Sequence, residues 1–359
     1  MRPLRVAIVG AYDPDYARNA IIRIGLERCG VEVVAAPSSP NASTRQRVMS
    51  AIRAFPGLSD CDIVIVPPFN QLLAPFVWVL GLLFRQPVLL DYMIGLTDSR
   101  LDRGRPNDFR AWLFRQVDRF NLTRLTTMTD TEAHRQVFAC LLGGDIRKMH
   151  VLPVGARDNL IQAAPPLPPA DSAFVVQYVG TYIPFHGMDI ILQAAALLKA
   201  IPRIEFELIG RGQTYDATLA LARDLGLDNV IFTPGFFHPP QLIDMLARGS
   251  VLLGVFGPSE KTGYVVPNKV YEGLALGRAV ITAESSALDE FFTSGEHLIT
   301  VPAADPPALV AAIRYLADSP EELERIAAAG TRRIREAFTP EHIGRQLKAT
   351  LDTLTMRPG

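Results

Sequence analysis

The sequence predicts an α/β protein of two doubly wound domains, each a parallel sheet with helices on both faces. Three observations carry that expectation. Short, continuous apolar runs alternate with helical patterns along the chain. The alternation restarts after a proline-rich break, QAAPPLPPAD at 162–171. The 359 residues, at roughly 150 per domain, suit two domains of similar size.

The opening is βαβ: LRVAIVG (Leu4–Gly10) ends in glycine, a helical pattern covers Arg18–Cys29, and VEVVAAP follows. From Ile63 to Phe84 there is no charge, a length that invites a transmembrane reading, but Pro67, Pro68, Asn70, Gln71 and Pro75 interrupt it. A buried strand (DIVIV), a turn (PPFNQ) and a core helix fit better. PVLLDYM, a helix around Phe109–Phe120, LTTMTD, a helix over Glu132–Leu142 and HVLPVG complete a first domain at 1–161. The proline-rich connector spans 162–171, and a second domain at 172–338 repeats the pattern from FVVQYVGTY through IEFELIG, VIFTPG, SVLLGVF, AVITA and LITVP. Helices at Pro306–Ala317, Pro320–Glu336 and Glu341–Leu354 each start near a proline, as a first helical position permits. The last, within 339–359, has the option of packing back toward the first domain. Ligands of doubly wound sheets bind at the carboxyl ends of the strands, so the cleft between the domains is the expected site.

Composition excludes several classes. With 48% hydrophobic and 20% charged residues, the chain is not disordered. A net charge of -1 gives no pull toward nucleic acid, although 1–165 carry +5 and 166–359 carry -6. Cys29, Cys61 and Cys140 are scattered and odd in number, which fits reduced, buried cysteines in the cytoplasm better than disulfides or a metal site. MRPLRVAIVGAYD has too short an apolar run for a secretory signal. Arg100, Arg103, Arg105, Arg110, Arg115, Arg119 and Arg124 crowd a segment that also holds Trp112, Phe114 and Phe120, a mixture suited to peripheral contact with an anionic inner membrane face. The preferred reading is a solvated helix whose aromatics face the core, with Asp98, Asp102, Asp108 and Asp118 offsetting the charge.

GAYDPDYARN (Gly10–Asn19) occupies the place of a dinucleotide-binding G-x-G-x-x-G and lacks its second and third glycines, which argues against a nicotinamide enzyme. Tyr12, Asp13, Arg18 and Asn19 in that loop are candidates to line a site, against the alternative of a solvated loop. Asp60-Cys61-Asp62 has a metal-diphosphate spacing but precedes its strand, on the wrong edge of the sheet. Gly210-Arg211-Gly212 follows IEFELI and permits close approach of a ligand. Strongest is VFGPSEKTGYVVPNKVYEGLALGRAVI (Val255–Ile281), a strand, a glycine-containing loop and a helix with Pro267 expected at its first position and Asn268, Lys269 and Glu272 in the opening turns. Free amides beside a lysine suit a diphosphate, and Glu272 suits a ribose diol; the plain alternative is a helix with Glu272 in solvent.

With these residues in place, the chain resembles the retaining, GT-B-fold glycosyltransferases of family four (glycosyl transferases group 1), most strongly from about Val175 to Ala337. YVGTYIPFHGMDIIL, FELIGRGQTY, VIFTPGFFHPPQLIDMLARGSVLLGVF and PNKVYEGLALGRAVITAESSALDEFF agree in order and spacing. The resemblance implies that the second domain binds a nucleotide sugar and the first an acceptor. It implies that Glu272 holds the ribose, that Val265, Val266 and the following amides approach the diphosphate and sugar, that Gly180 starts the loop under the phosphates, and that Gly235 and Phe236 lie near the base.

The chain also departs from the family. Tyr264 replaces the first glutamate of the usual pair, Thr181 replaces an arginine and His186 a lysine, so Lys261, Lys269 or Arg211 would have to supply the missing positive charge. The frequent histidine after the fourth strand is absent, leaving Asp91 and Asp98 as the nearest polar candidates. A branch with a YDP loop, a GLTDSRLDR-like segment and a PNKVYE helix shares these features. The expected activity is metal-independent, cofactor-free retaining transfer of a hexose-type sugar from a nucleoside diphosphate to a glycan, lipid-linked or small-molecule hydroxyl. Lys261, Lys269 and Glu272 are expected to carry it. The alternatives are a sugar-nucleotide epimerase and a non-catalytic nucleotide-sugar-binding subunit.

Overall fold

The computed structural model describes residues 2–39, 41–101, 103, 108–237 and 239–355. They divide into two compact units. One comprises residues 2–101, 108–155 and 338–355; the other comprises Ala156–Ala337 together with residue 103.

The first unit runs β1 (Arg5–Ala11), α1 (Ala17–Arg28), β2 (Glu32–Ser38), α2 (Thr44–Ala54), β3 (Ile63–Val66), α3 (Ala74–Phe84), β4 (Val88–Asp91), α4 (Leu96–Leu101), α5 (Phe109–Arg124), β5 (Thr126–Thr129), α6 (Glu132–Leu142) and β6 (Met149–Val151). Its six strands form one parallel sheet in the order β2-β1-β3-β4-β5-β6. Every residue of β3 and β4 is buried, as expected of strands covered on both faces. The Asp60–Asp62 pair lies at the amino end of β3, where Asp62 accepts from the Arg5 amide at 2.9 Å.

The second unit runs α7 (Asp158–Ala163), β7 (Phe174–Val179), α8 (Met188–Leu198), β8 (Ile204–Ile209), α9 (Tyr215–Asp224), β9 (Val230–Thr233), α10 (Pro239–Leu246), β10 (Val251–Leu253), α11 (Asn268–Ala275), β11 (Ala279–Ala283), α12 (Ser286–Asp289), β12 (Ile299–Val301), α13 (Pro306–Asp318) and α14 (Pro320–Ala337). Its parallel sheet has the order β12-β11-β10-β7-β8-β9. Strand order reverses between β7 and β10, and the carboxyl ends of strands at such a reversal are where ligands of doubly wound sheets bind.

The final helix, α15 (Pro340–Thr355), belongs to the first unit, where it lies along α1 and buries Ile343, Leu347 and Leu351 against Ile21, Ile22 and Leu26. The two helices touch backbone to backbone, since a β-carbon on Gly344 would fall 2.2 Å from Gly25. The proline-rich stretch is fastened to the second unit, because the buried Arg278 donates to the carbonyls of Pro165 and Pro166 at 2.9 and 3.0 Å. The division between units falls ahead of it, at Gly155–Ala156.

Four local expectations need correction. Of the cysteines expected to be buried, Cys61 is, but Cys29 is half-buried and Cys140 exposed. Pro267 is the N-cap of α11 rather than its first residue, its ψ of 140° being extended. Helix α3 is only half in the core: Ala74, Val77 and Gly81 are buried, but Phe76, Val79, Leu82 and Leu83 are exposed. In α5 the buried face is Ala111, Asp118, Asn121 and Leu122, so Phe109 and Trp112 stand in solvent instead of facing the core. Arg105 and Asp102 lie outside the described residues.

Candidate functional site

The reversal point of the second sheet gathers much of the sequence-derived set. Gly180 follows β7 and Gly210 follows β8, both with positive φ (149° and 129°). A β-carbon on Gly210 would meet the Gly180 carbonyl oxygen at 2.0 Å, so the two loops cross at a distance only glycine allows. A β-carbon on Gly180 would in turn reach within 3.0 Å of Lys269 Nζ, which places the lysine head directly beside the loop after β7.

Lys269 stems from the first turn of α11, where backbone N–H groups lack helical acceptors and the helix dipole is positive. Its Nζ sits 4.0 Å from the centre of the Tyr178 ring, is closed off from solvent, and has no hydrogen-bond partner among the described residues. Burial lowers this ammonium to about 7, with Glu272 pulling the other way. An ammonium with three unused donors, facing a ring and a glycine loop, has the chemistry to pair with an anion.

The neighbours complete the setting. The buried Tyr178 shares a 2.7 Å hydrogen bond with His186 Nδ1, and that nitrogen also contacts the Thr181 carbonyl. Burial, reinforced by Lys269, holds His186 well below its ordinary value and therefore neutral. His186 thus does not stand in for a lysine as a charge. Glu272 is 3.6 Å from Arg157, at the N-cap of α7. Burial raises the Glu272 carboxyl, while Arg157 and then Lys269 pull it down.

On the β10 side, Lys261 is buried in a 3-10 turn (Glu260–Gly263), with its ammonium 5.8 Å from the centre of the Phe185 ring. Ser259 starts that turn by accepting from the Lys261 amide, and Thr262 Oγ1 fastens it to the Gly257 carbonyl at 2.7 Å. Val265 is buried with Phe185 and Val255, and Tyr264 packs against the same apolar group. Val266 is buried and Asn268 half-buried at the head of α11.

The remaining second-unit candidates are Arg211, whose carbonyl accepts from the Tyr182 amide at 3.3 Å, Gly235 and Phe236. Arg211 is exposed and lies over the Tyr215 ring at 5.6 Å. Gly235 and Phe236 follow the edge strand β9, and Phe236 is 81% exposed.

In the first unit, Arg18 and Asp91 meet in an ion pair of 2.7 Å at 0% and 1% exposure. Arg18 also donates to the carbonyls of Leu152 and Pro153. Both side chains, named from the sequence as acceptor-side candidates, are thus enclosed and paired with each other. Asn19 Nδ2 donates to the Asp13 carbonyl at 2.8 Å, Tyr12 is buried, Asp13 is exposed, and Asp98 is half-buried in α4.

Sequence reasoning missed three groups. Arg157 carries no local motif. Asn70 joins the strand-order reversal of the first sheet, accepting from the Ala11 amide at 2.7 Å and donating to its carbonyl at 2.9 Å. Asp130 and His134 form a buried pair of 2.6 Å, whose signal was their i,i+4 spacing behind the cap residue Thr131.

Comparisons with known proteins agree with this picture. A family model described as glycosyl transferase-like matches residues 190–349. The chain is 26% identical over 211 residues to the MMP alpha-(1->4)-mannosyltransferase of Mycolicibacterium hassiacum, covering 58% of this chain and 49% of that protein. It is 29% identical over 189 residues to the lipopolysaccharide core biosynthesis glycosyltransferase LpsD of Rhizobium meliloti, covering 50% and 51%. The chain thus spans about half the length of these curated relatives. Among solved structures, Anabaena HepE in complex with UDP and glucose superposes with a TM-score of 0.74 at 16% identity, over 98% of this chain and 100% of that one. Sucrose-phosphate synthase of Thermosynechococcus elongatus gives 0.75 at 17%, over 98% and 99%. The fold is therefore the two-sheet GT-B fold, and residues 190–349 are similar to a glycosyl transferase-like family within it.

Proposed function

We propose that the protein is a retaining glycosyltransferase that moves a hexose-type sugar from a nucleoside diphosphate to an acceptor hydroxyl, without a metal. The observation that carries this reading is the enclosed, unpartnered Lys269 ammonium between Tyr178, Gly180 and the N-terminus of α11, which suits the diphosphate of a donor. HepE, which shares the fold, has been solved with UDP and with UDP-glucose, and the matched relatives are named as sugar transferases. Glu272, steadied by Arg157, would accept hydrogen bonds from the ribose hydroxyls.

The reaction would run as a front-face displacement. The sugar–phosphate bond breaks as the acceptor oxygen bonds to the anomeric carbon on the same face, and the departing diphosphate takes the acceptor's proton. No protein nucleophile is needed, so catalysis rests on positioning and on stabilising charge on the leaving group. Lys269, the α11 amides and the nearby Lys261 turn would provide that stabilisation. The place of the family's first glutamate is held by Tyr264 on an apolar cluster, which favours sugar recognition by shape over a carboxylate clamp.

A thermal-shift and calorimetric screen of nucleoside diphosphates and their sugars tests the reading, followed by transfer assays with the ligand that binds. Lys269→Met and Lys261→Met are expected to lower turnover by orders of magnitude. Near-normal kinetics in both variants would overturn it. Tight donor binding with neither transfer nor hydrolysis across an acceptor panel would instead identify a binding subunit.

A further inference from the structure

Among the described residues, eighteen large apolar side chains are exposed, and eight of them sit on α3 and α5 of the first unit. On α3, Phe76, Val79 and Leu83 recur at helical spacing on one side, and Leu83 is 72% exposed. On α5, Phe109, Trp112 and Leu113 stand at i, i+3 and i+4, with the Phe109 and Trp112 rings stacked at 5.6 Å. The two helices are neighbours, joined by an edge-to-face contact of Trp78 and Phe120 at 5.6 Å. Water-exposed apolar area concentrated in this way calls for a partner.

Charge says which partner. Arg85, at the C-cap of α3, and Arg110, Arg115, Arg119 and Arg124 of α5 are exposed, and none forms an ion pair with a described residue. The acidic side chains nearby are engaged: Asp108 caps α5 and pairs with Arg100 at 2.9 Å, and the buried Asp118 accepts from the Leu96 and Thr97 amides. A second copy seated on this face by two-fold symmetry would bring five unpaired arginines against five more. A bilayer with anionic headgroups satisfies both halves of the pattern, taking aromatic and aliphatic side chains at its boundary and guanidinium groups at its phosphates. At 11 residues α3 would lie on such a surface; no helix among the described residues is long and apolar enough to cross it.

We propose that the α3–α5 face docks the first unit on an anionic lipid surface. The proposal stands apart from the donor reading, since its residues belong to the first unit and Lys269 to the second.

The test uses the two tryptophans of the chain. In a Trp78→Phe background, Trp112 is the sole indole and reports the face directly. Emission is expected to shift to the blue, and the protein to co-sediment, with vesicles of phosphatidylglycerol and phosphatidylcholine; pure phosphatidylcholine should bind it weakly, and about 0.5 M salt should release it. Arg110→Gln, Arg115→Gln and Arg119→Gln together are expected to lower the partition coefficient about a hundredfold. Leu83→Asp with Phe76→Ser is expected to lower it at least about tenfold, with circular dichroism and the donor thermal shift unchanged. Absence of partitioning, or partitioning indifferent to both variants, overturns the proposal. So does a concentration-dependent dimer in sedimentation velocity that Leu83→Asp dissolves, which would assign the face to a second copy. A donor thermal shift that persists while lipid binding fails leaves the donor reading intact.

Discussion

The Lys269 ammonium lies 4.0 Å from the centre of the Tyr178 ring, and the same burial that brings them together lowers that ammonium to about 7. A lysine so placed is half deprotonated near neutral pH, while an anion in its pocket would restore the charge.

Donor binding should therefore take up a proton. At pH 8, calorimetry of the diphosphate in buffers of different ionisation enthalpy is expected to show uptake that falls toward zero below pH 6. Lys269→Met should abolish the uptake.

The same group sets a stability trend in the ligand-free protein. Its folded value, about 7, lies below its ordinary value, so the unfolded chain binds more protons between about pH 7 and 10.5 and stability from this group rises with pH across that window. Urea midpoints of the parent should climb relative to those of Lys269→Met over this range, and the two curves should run parallel below about pH 6.

Arg157 holds down a Glu272 carboxyl that burial raises. Arg157→Gln should move the acid limb of kcat/KM for the donor to higher pH, and Arg157→Lys should restore most of it. A profile unmoved by Arg157→Gln would remove Arg157 from the site.

The enclosed Arg18–Asp91 pair should be sensitive to losing one member and tolerant of losing both. Arg18→Met leaves a buried carboxylate and is expected to cost about 3–5 kcal/mol in urea unfolding. Arg18→Met with Asp91→Leu should recover most of that loss.

Gly210→Ala forces a β-carbon to within 2.0 Å of the Gly180 carbonyl oxygen, at a φ of 129°. A stability loss of about 3 kcal/mol, with a weakened donor thermal shift, is expected.

Both sheets and the candidate site at α11 were legible because their signals are local: apolar runs for the strands, a glycine after β7, and PNKVYE opening a helix. The pairing of Arg18 with Asp91 was not, because the two are 73 residues apart and nothing in either neighbourhood names the other. Arg157 stayed hidden for the same reason. The outward face of α3 was invisible for a different one. APFVWVLGLLF is apolar on every side, so its periodicity cannot mark which side is left uncovered.

The return of α15 to α1 sets an order of events during synthesis. Ala156–Ala337 has its full complement of strands and helices before α15 has been made, whereas Ile21, Ile22 and Leu26 of α1 still lack Ile343, Leu347 and Leu351. The half translated first is thus the half finished last. Until the ribosome releases α15, a stripe of aliphatic side chains on the nascent first unit stays uncovered and available to a chaperone.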